Sequence, residues 1–201
     1  MLTREAIQNR LNSGNEDQIF VDPVLSSDQV GAVSLDLRLG CDFLVSVLGR
    51  KPSISIAGDG DYGDPSSFLQ ESRRNIGEVF ILYPAQTVLA TTLEYVGLPD
   101  DIYADIVTRS SYNRLGLTLG TMFQPGFRGC MSLELFNHSN SPVELVVGSR
   151  LVQARFHALD QEQNYYGDGA RRKYIGQVRP TPSKAPDDVD LPRLIRIARN
   201  S

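Results

Sequence analysis

From residue 33 to 39 the chain alternates apolar and polar residues without a break: Val-Ser-Leu-Asp-Leu-Arg-Leu. That period of two predicts a half-buried strand. Gly40 punctuates it, and residues 41–47 predict a second strand after a tight turn. From Glu78 onward the apolar runs come quickly, at Val79–Leu82, 87–96, 102–109, 131–137, 143–147 and 151–159. Turn residues separate them, among them Pro84, Pro99-Asp100, Pro125-Gly126, Asn140-Ser141-Pro142 and Gly148. Short strands at this spacing predict an all-β barrel or sandwich. The start differs. Thr3 is placed to cap a short helix, with Leu2 and Ile7 at the two staple positions and Gly14 to end it. Residues 49–75 read as a polar loop, and the chain from Arg179, with four prolines and several aspartates, as an extended or mobile tail.

Composition narrows the classes of function. A chain of 201 residues with 41% hydrophobic content has ordinary globular proportions, with one domain as the default. A net charge of −4 argues against broad nucleic-acid binding, which needs a basic footprint. No apolar run approaches the roughly 18 residues that cross a bilayer, and Met1-Leu2-Thr3-Arg4-Glu5 lacks the apolar core of a secretory signal. Cys41 and Cys130 are the two cysteines and form no CxxC, which suits a cytoplasmic chain with ordinary thiols. No Walker sequence occurs, nor the HxE and PCxxC pair of zinc deaminases. Gly58 to Pro65 fails as a calcium loop, because the glycine falls one place early and no closing glutamate follows. His138 and His157 have no ligand-type partner, and His157, on a strand, reads as structural.

Three stretches carry candidate chemistry. Arg109-Ser110-Ser111-Tyr112-Asn113-Arg114 packs two arginines and two serines into six residues. If a helix starts there, its first amides and the guanidinium forks suit a phosphate; otherwise it is a polar turn with surface arginines. Glu134 stands in the middle of an apolar strand, where alternation groups it with Ser132 and Phe136 and puts Leu133 and Leu135 on the opposite face. A buried face there raises the carboxyl pKa, which suits a general acid–base near neutral pH; an exposed face makes it an ordinary edge residue. The segment from Tyr165 to Gln177 mixes aromatic, basic and glycine residues, and either closes over an anion or is a solvated stretch.

In order, the RSSxxRLGL element at 109–117, Pro125-Gly126-Phe127-Arg128-Gly129 and Leu133-Glu134-Leu135-Phe136-Asn137 resemble the dCTP deaminase family, the zinc-free deaminases of the dUTPase-like superfamily. Residues 33–40, Leu82-Tyr83-Pro84 through Thr92-Leu93-Glu94, and Lys173-Tyr174-Ile175-Gly176-Gln177 extend the likeness over most of residues 1–180. The resemblance implies a mainly β, dUTPase-like distorted barrel or jelly roll with a few short helices. It suggests a β domain over 1–178 and a tail over 179–201. The implied activity is hydrolytic deamination of dCTP to dUTP and ammonia, supplying dUTP for dUMP and thymidylate synthesis. Glu134 matches the proton-shuttling glutamate, with Ser110 and Arg114 orienting the water and amino group. The Gly120 carbonyl matches a position that holds the water, and Phe127 one near the sugar. Arg109, Ser110 and Ser111 match triphosphate contacts, completed by Tyr166, Lys173 and Gln177. The family further implies a homotrimer with sites between subunits, and Mg2+ carried by the triphosphate, with neither zinc nor a protein metal site. Three positions depart from the family pattern: Gln124 replaces the usual Asp before Pro-Gly, Thr108 a Gly before the RSS element, and Ala85 a Gly after Pro84. Gln124 can hydrogen-bond a sugar hydroxyl but cannot act as a base, so pyrophosphate cleavage is not implied. A bifunctional deaminase–pyrophosphatase and a non-catalytic nucleotide-binding regulator are the alternatives on the same fold.

Overall fold

Helix α1, Arg4–Asn12, opens where the Ala6 amide donates to the Thr3 hydroxyl, 3.5 Å, and stops before Gly14, whose φ is +66°. Ile7 is fully buried and Leu2 packs against the core, as the staple positions require. This computed structural model describes residues 1–47, 53–56, 65–163, 165–166 and 173–199. The failed calcium loop therefore lies outside the described residues, apart from Pro65.

Twelve strands follow in chain order. They are β1 Phe20–Asp22, β2 Leu35–Arg38, β3 Asp42–Ser46, β4 Leu69–Arg73, β5 Val79–Leu82, β6 Thr87–Gly97, β7 Ile102–Thr108, β8 Leu117–Thr118, β9 Gly120–Phe123, β10 Arg128–Asn137, β11 Val143–Val146 and β12 Arg150–Ala158. A one-turn helix, α2 Ser110–Asn113, links β7 to β8, and α3 Leu191–Arg199 closes the chain. The ladders give a sheet ordered β4-β3-β6-β10-β8 with β1 beside β6, a second ordered β2-β12-β7-β9, and the pair β11-β5. A mainly β fold with few short helices is as expected. Among the described residues the ladders do not join into a closed barrel, although Leu39, just after β2, bridges to Thr92 of β6.

Several boundaries differ from the expectations for physical reasons. The loop expected over 49–75 ends in β4, a polar edge strand antiparallel to β3, which alternation of apolar residues could not reveal. Strand β2 is not half solvated: Ser34 and Asp36 are buried with the leucines, because Arg109, Arg150 and Gln153 surround the Asp36 carboxylate. The tail is extended only as far as Lys184; a 3₁₀ turn at Ala185–Asp187 and α3 follow. Pro192 is tolerated as the second residue of α3, where its missing amide hydrogen has no helical acceptor anyway. Ala85 adopts φ +56°, which explains why glycine suits that turn better.

The two thiols are free, Cys130 buried and Cys41 half-buried. His157 stacks on Tyr103, centroids 4.7 Å apart, and its Nε2 lies 3.1 Å from Asp105, a structural setting as expected. No helix among the described residues is long and apolar enough to cross a membrane.

The sheets are held by interdigitated apolar side chains. Phe43 of β3 and Phe80 of β5 stack with centroids 4.1 Å apart and planes within 5°, bridging two sheets. Phe43→Ala therefore costs about 3–5 kcal/mol. Urea denaturation will show this as a lower midpoint with an unchanged m-value.

Candidate active site

Strand β10 sets the site. Leu133 and Leu135 are fully buried against the core, so alternation turns Ser132, Glu134 and Phe136 outward. Its register on β6 pairs Leu133 with Ala90 and Glu134 with Leu89. Between the Cys130–Tyr95 and Ser132–Thr91 pairs the ladder slips. Thr92 Oγ1 fills the gap by accepting from the Met131 amide at 2.9 Å, while its hydroxyl donates to the Glu94 carbonyl at 2.8 Å. Glu94 itself is fully buried, accepting from the Arg38 amide at 2.8 Å and from Gln29 Nε2 at 3.3 Å.

Glu134 opens onto a cavity of about 860 Å³. Gln124 and residues 121–123 of β9 form one wall, Phe127 and Tyr166 another, and Lys173, Tyr174, Thr181 and Asp187–Val189 a third. Glu134 touches solvent within the cavity, yet surrounding protein displaces much of its bulk hydration. Desolvation therefore pushes its carboxyl above the ordinary glutamate value, and its own backbone N–H only partly opposes this. The Glu134 side chain is thus solvent-exposed, on the floor of a concave site and not on a free edge strand.

The Phe127 ring is buried and packs against Phe123, centroids 4.6 Å apart. The segment after the described gap is stitched to the start of β10 by main-chain bonds. The Gly176 amide donates to the Arg128 carbonyl and the Cys130 amide to the Gln177 carbonyl, each 2.7 Å. Further along, the Lys184 amide donates to the Tyr174 hydroxyl at 2.6 Å, and the Lys184 ammonium lies 5.3 Å from the centre of that ring. The chain thus doubles back across the cavity. Residues on both sides of position 178 line it.

The expected site residues divide into groups. Glu134, Gln124, Phe127, Tyr166 and Lys173 share the cavity. Gln177 stands behind its wall: Thr181 donates to its Oε1 at 3.0 Å, while its buried Nε2 finds no acceptor among the described residues. Arg109 and Ser111 lie elsewhere, in a shallow basin with Asp28, Tyr112, Leu115, Ser149 and Arg150. Ser110 is exposed at the start of α2, Arg114 at its C-cap and Gly120 at the start of β9. The cavity and the basin share no wall residue.

The basin is basic but balanced. Arg109 pairs with Asp36 at 3.5 Å and donates to the Arg150 carbonyl at 3.3 Å. Arg150 in turn pairs with Asp28 at 2.7 Å, holding that exposed carboxyl far below its usual range. Thr108 ties β7 to α2 by donating to Asn113 Oδ1, a contact that glycine could not make. A single helical turn adds little dipole, so any anion here depends on guanidinium groups.

Thr181, Asp187 and Asp188 were missed by sequence reasoning, and Tyr174 was named only as part of the segment from Tyr165 to Gln177. They sit in an irregular segment whose fold-back gives no periodic signal. Arg150 was missed as well, its only sequence cue being a charge at the start of a strand.

A carboxylate of raised pKa at the floor of a concave site fits an enzyme that moves a proton during hydrolysis. Among the described residues no cluster of three His, Cys, Asp or Glu could hold a metal by itself. Comparison with known proteins sharpens that class. A family model described as dCTP deaminase-like matches residues 1–159, and the chain belongs to that family. A relative from Methanobrevibacter smithii, named "dCTP deaminase, dUMP-forming", is 35% identical over 196 residues, 95% of this chain and 98% of its own. A Haloarcula marismortui protein named "dCTP deaminase" is 34% identical over 94% of this chain and 96% of its own. The crystal structure of 2'-deoxycytidine 5'-triphosphate deaminase from Agrobacterium tumefaciens aligns with TM-score 0.59 and 25% identity, covering 78% of this chain and 47% of that one.

Gly129 makes the seating of the segment over the cavity testable. Its φ is +149°, and an added Cβ would sit 2.6 Å from the Gln177 carbonyl oxygen. Gly129→Ala therefore breaks the Cys130–Gln177 bond and frees the chain from 173 onward. Limited proteolysis will show faster cleavage there than in the parent protein, and equal rates would contradict the assignment.

Proposed function

We propose that the protein hydrolyses the C4–amino bond of dCTP, giving dUTP and ammonia. One observation carries the reading: Glu134 stands on the floor of the cavity with its pKa raised, in a chain of the dCTP deaminase-like family. As base, Glu134 takes a proton from water while the water oxygen bonds to C4. It then hands that proton to the amino nitrogen, the C–N bond breaks and ammonia leaves, and the second water proton ends on N3, which leaves a uracil carbonyl at C4. Positioned proton transfer of this kind is worth about 10²–10⁴ in rate.

Phe127 and Gln124 suit the sugar end of the ligand, and Tyr166 and Lys173 its phosphates. Ser110, Arg114 and the Gly120 carbonyl would orient the water and amino group, and Arg109 and Ser111 would hold phosphate, from a second copy of the chain. The separation of the basin from the cavity supports this reading, because one chain alone does not bring the two halves together. A homotrimer with shared sites is the assembly proposed. Mg2+ fits as a companion of the triphosphate, with Asp187 and Asp188 as the cavity's hard oxygen donors. It would neutralise phosphate charge there. The cellular role proposed is cytoplasmic supply of dUTP for thymidylate synthesis.

A second reading has its own observation. The Methanobrevibacter smithii relative is named dUMP-forming, which makes pyrophosphate release a competing outcome. Gln124 weighs against it, since an amide cannot activate the second water. Incubating dCTP with Mg2+ and resolving the products by chromatography decides the matter. dUTP with equimolar ammonia is expected, whereas dUMP with pyrophosphate would establish the second reading.

Glu134→Gln should abolish ammonia release while leaving nucleotide affinity nearly unchanged by calorimetry; substantial residual turnover would remove Glu134 from its role. Because the base must be ionised, kcat/KM falls as pH drops through the raised Glu134 pKa. The acid limb of the profile should therefore lie above the ordinary glutamate value of 4.5. A limb at or below that value would contradict the desolvated setting.

A further inference from the structure

Helix α3 has the sequence Leu-Pro-Arg-Leu-Ile-Arg-Ile-Ala-Arg over Leu191–Arg199. At 100° per residue its five apolar residues fall on one arc, and Arg193 and Arg196 on the other. Leu191 and Ile195 are half-buried, but Leu194 and Ile197 are each 57% exposed. A nine-residue helix is marginal in water without packing, so an apolar arc left this open calls for a cover.

A second surface has the complementary character. The outer face of the β5–β11 pair presents Val79, Ile81 and Val146, joined by Ile76, which is 66% exposed. The inward residues Phe80, Leu82, Val143 and Leu145 are buried, so this sheet is apolar on both faces. Glu144 stands opposite Ile81 in the outer face and has no ion pair among the described residues. Glu78, at its edge, is held by Asn75 with Arg74 nearby, which leaves Glu144 as the open carboxylate.

We infer that α3 of one chain docks on the outer face of β5 and β11 of a second copy, Leu194 and Ile197 covering Val79, Ile81 and Val146, with Arg193 or Arg196 meeting Glu144. The charges favour this occupant: the helix is basic, and the face has an unpaired acid at the centre of its apolar residues. The contact is heterologous, the helix of each copy engaging the sheet of the next, and such contacts close into rings when the rotation permits. The inference does not depend on the substrate, so it stands or falls separately from deamination.

Cross-linking tests it on the full chain. In a Cys41→Ser background, Leu194→Cys and Val146→Cys are combined and treated with a short bis-maleimide. Covalent oligomers on a denaturing gel are expected from the double variant and not from either single variant. A linked monomer alone, or no link in a protein of native circular dichroism, would overturn the inference. So would a protein that sediments with anionic lipid vesicles through α3 and yields no inter-chain product. Arg193→Glu with Arg196→Glu should slow inter-chain linking roughly two- to fivefold, the effect of an exposed ion pair. Adding Glu144→Arg should restore the rate, and an unchanged rate in the double charge reversal would refute the docking.

Discussion

The antiparallel pairing of β6 with β10 is the constraint on which the rest depends. It is the longest ladder in the molecule, and its inner residues carry the core from Val88 and Ala90 to Leu133 and Leu135. A slip of one residue would exchange the faces of β10, sending Glu134 into hydrocarbon and two leucines into water. The Thr92 hydroxyl takes the Met131 amide at the irregular point, so the ladder bends there without leaving that donor unsatisfied. Glu134 is therefore fixed by packing several residues away from it, with no direct clamp on the carboxylate among the described residues.

The electrostatics of the two basins follow opposite rules. In the cavity Glu134 has no ion pair among the described residues, and desolvation raises its carboxyl pKa. In the Arg109 basin each guanidinium has a carboxylate, Asp36 for Arg109 and Asp28 for Arg150. A pair of neighbouring arginines would otherwise repel each other in the empty protein. An incoming phosphate must compete with these carboxylates, so the basin favours ligands of high charge over weakly charged ones.

Much of this was legible in the sequence wherever burial alternates. Strands β5, β6, β7, β10, β11 and β12 announced themselves as runs of Val, Ile, Thr, Phe and Leu between turn residues, β2 and β3 through the alternation at 33–39 and the turn at Gly40, and α1 through its cap and staple. Strands β1, β8 and β9 are too short for a period to register, and β4 is polar because it lies at an edge. Asp36 was read as solvated because a sequence shows its neighbours in the chain and not Arg109 or Arg150 across the fold. For the site, Glu134 was legible as a charge inside an apolar strand, and Gln124, Phe127, Tyr166 and Lys173 through family resemblance. The rest of the third wall was hidden, since Thr181 and Asp187 are brought there by a fold-back with no repeat.

The fold-back is secured at β10 by backbone atoms, with Gly129 leaving room for the Gln177 main chain. An anchor made of amides and carbonyls is indifferent to which side chains hang from it. The residues facing the cavity on either side of that anchor can therefore be exchanged one at a time without detaching the wall. The architecture separates tenure from taste: the same clasp can serve different bases, sugars or phosphate chains as its lining drifts.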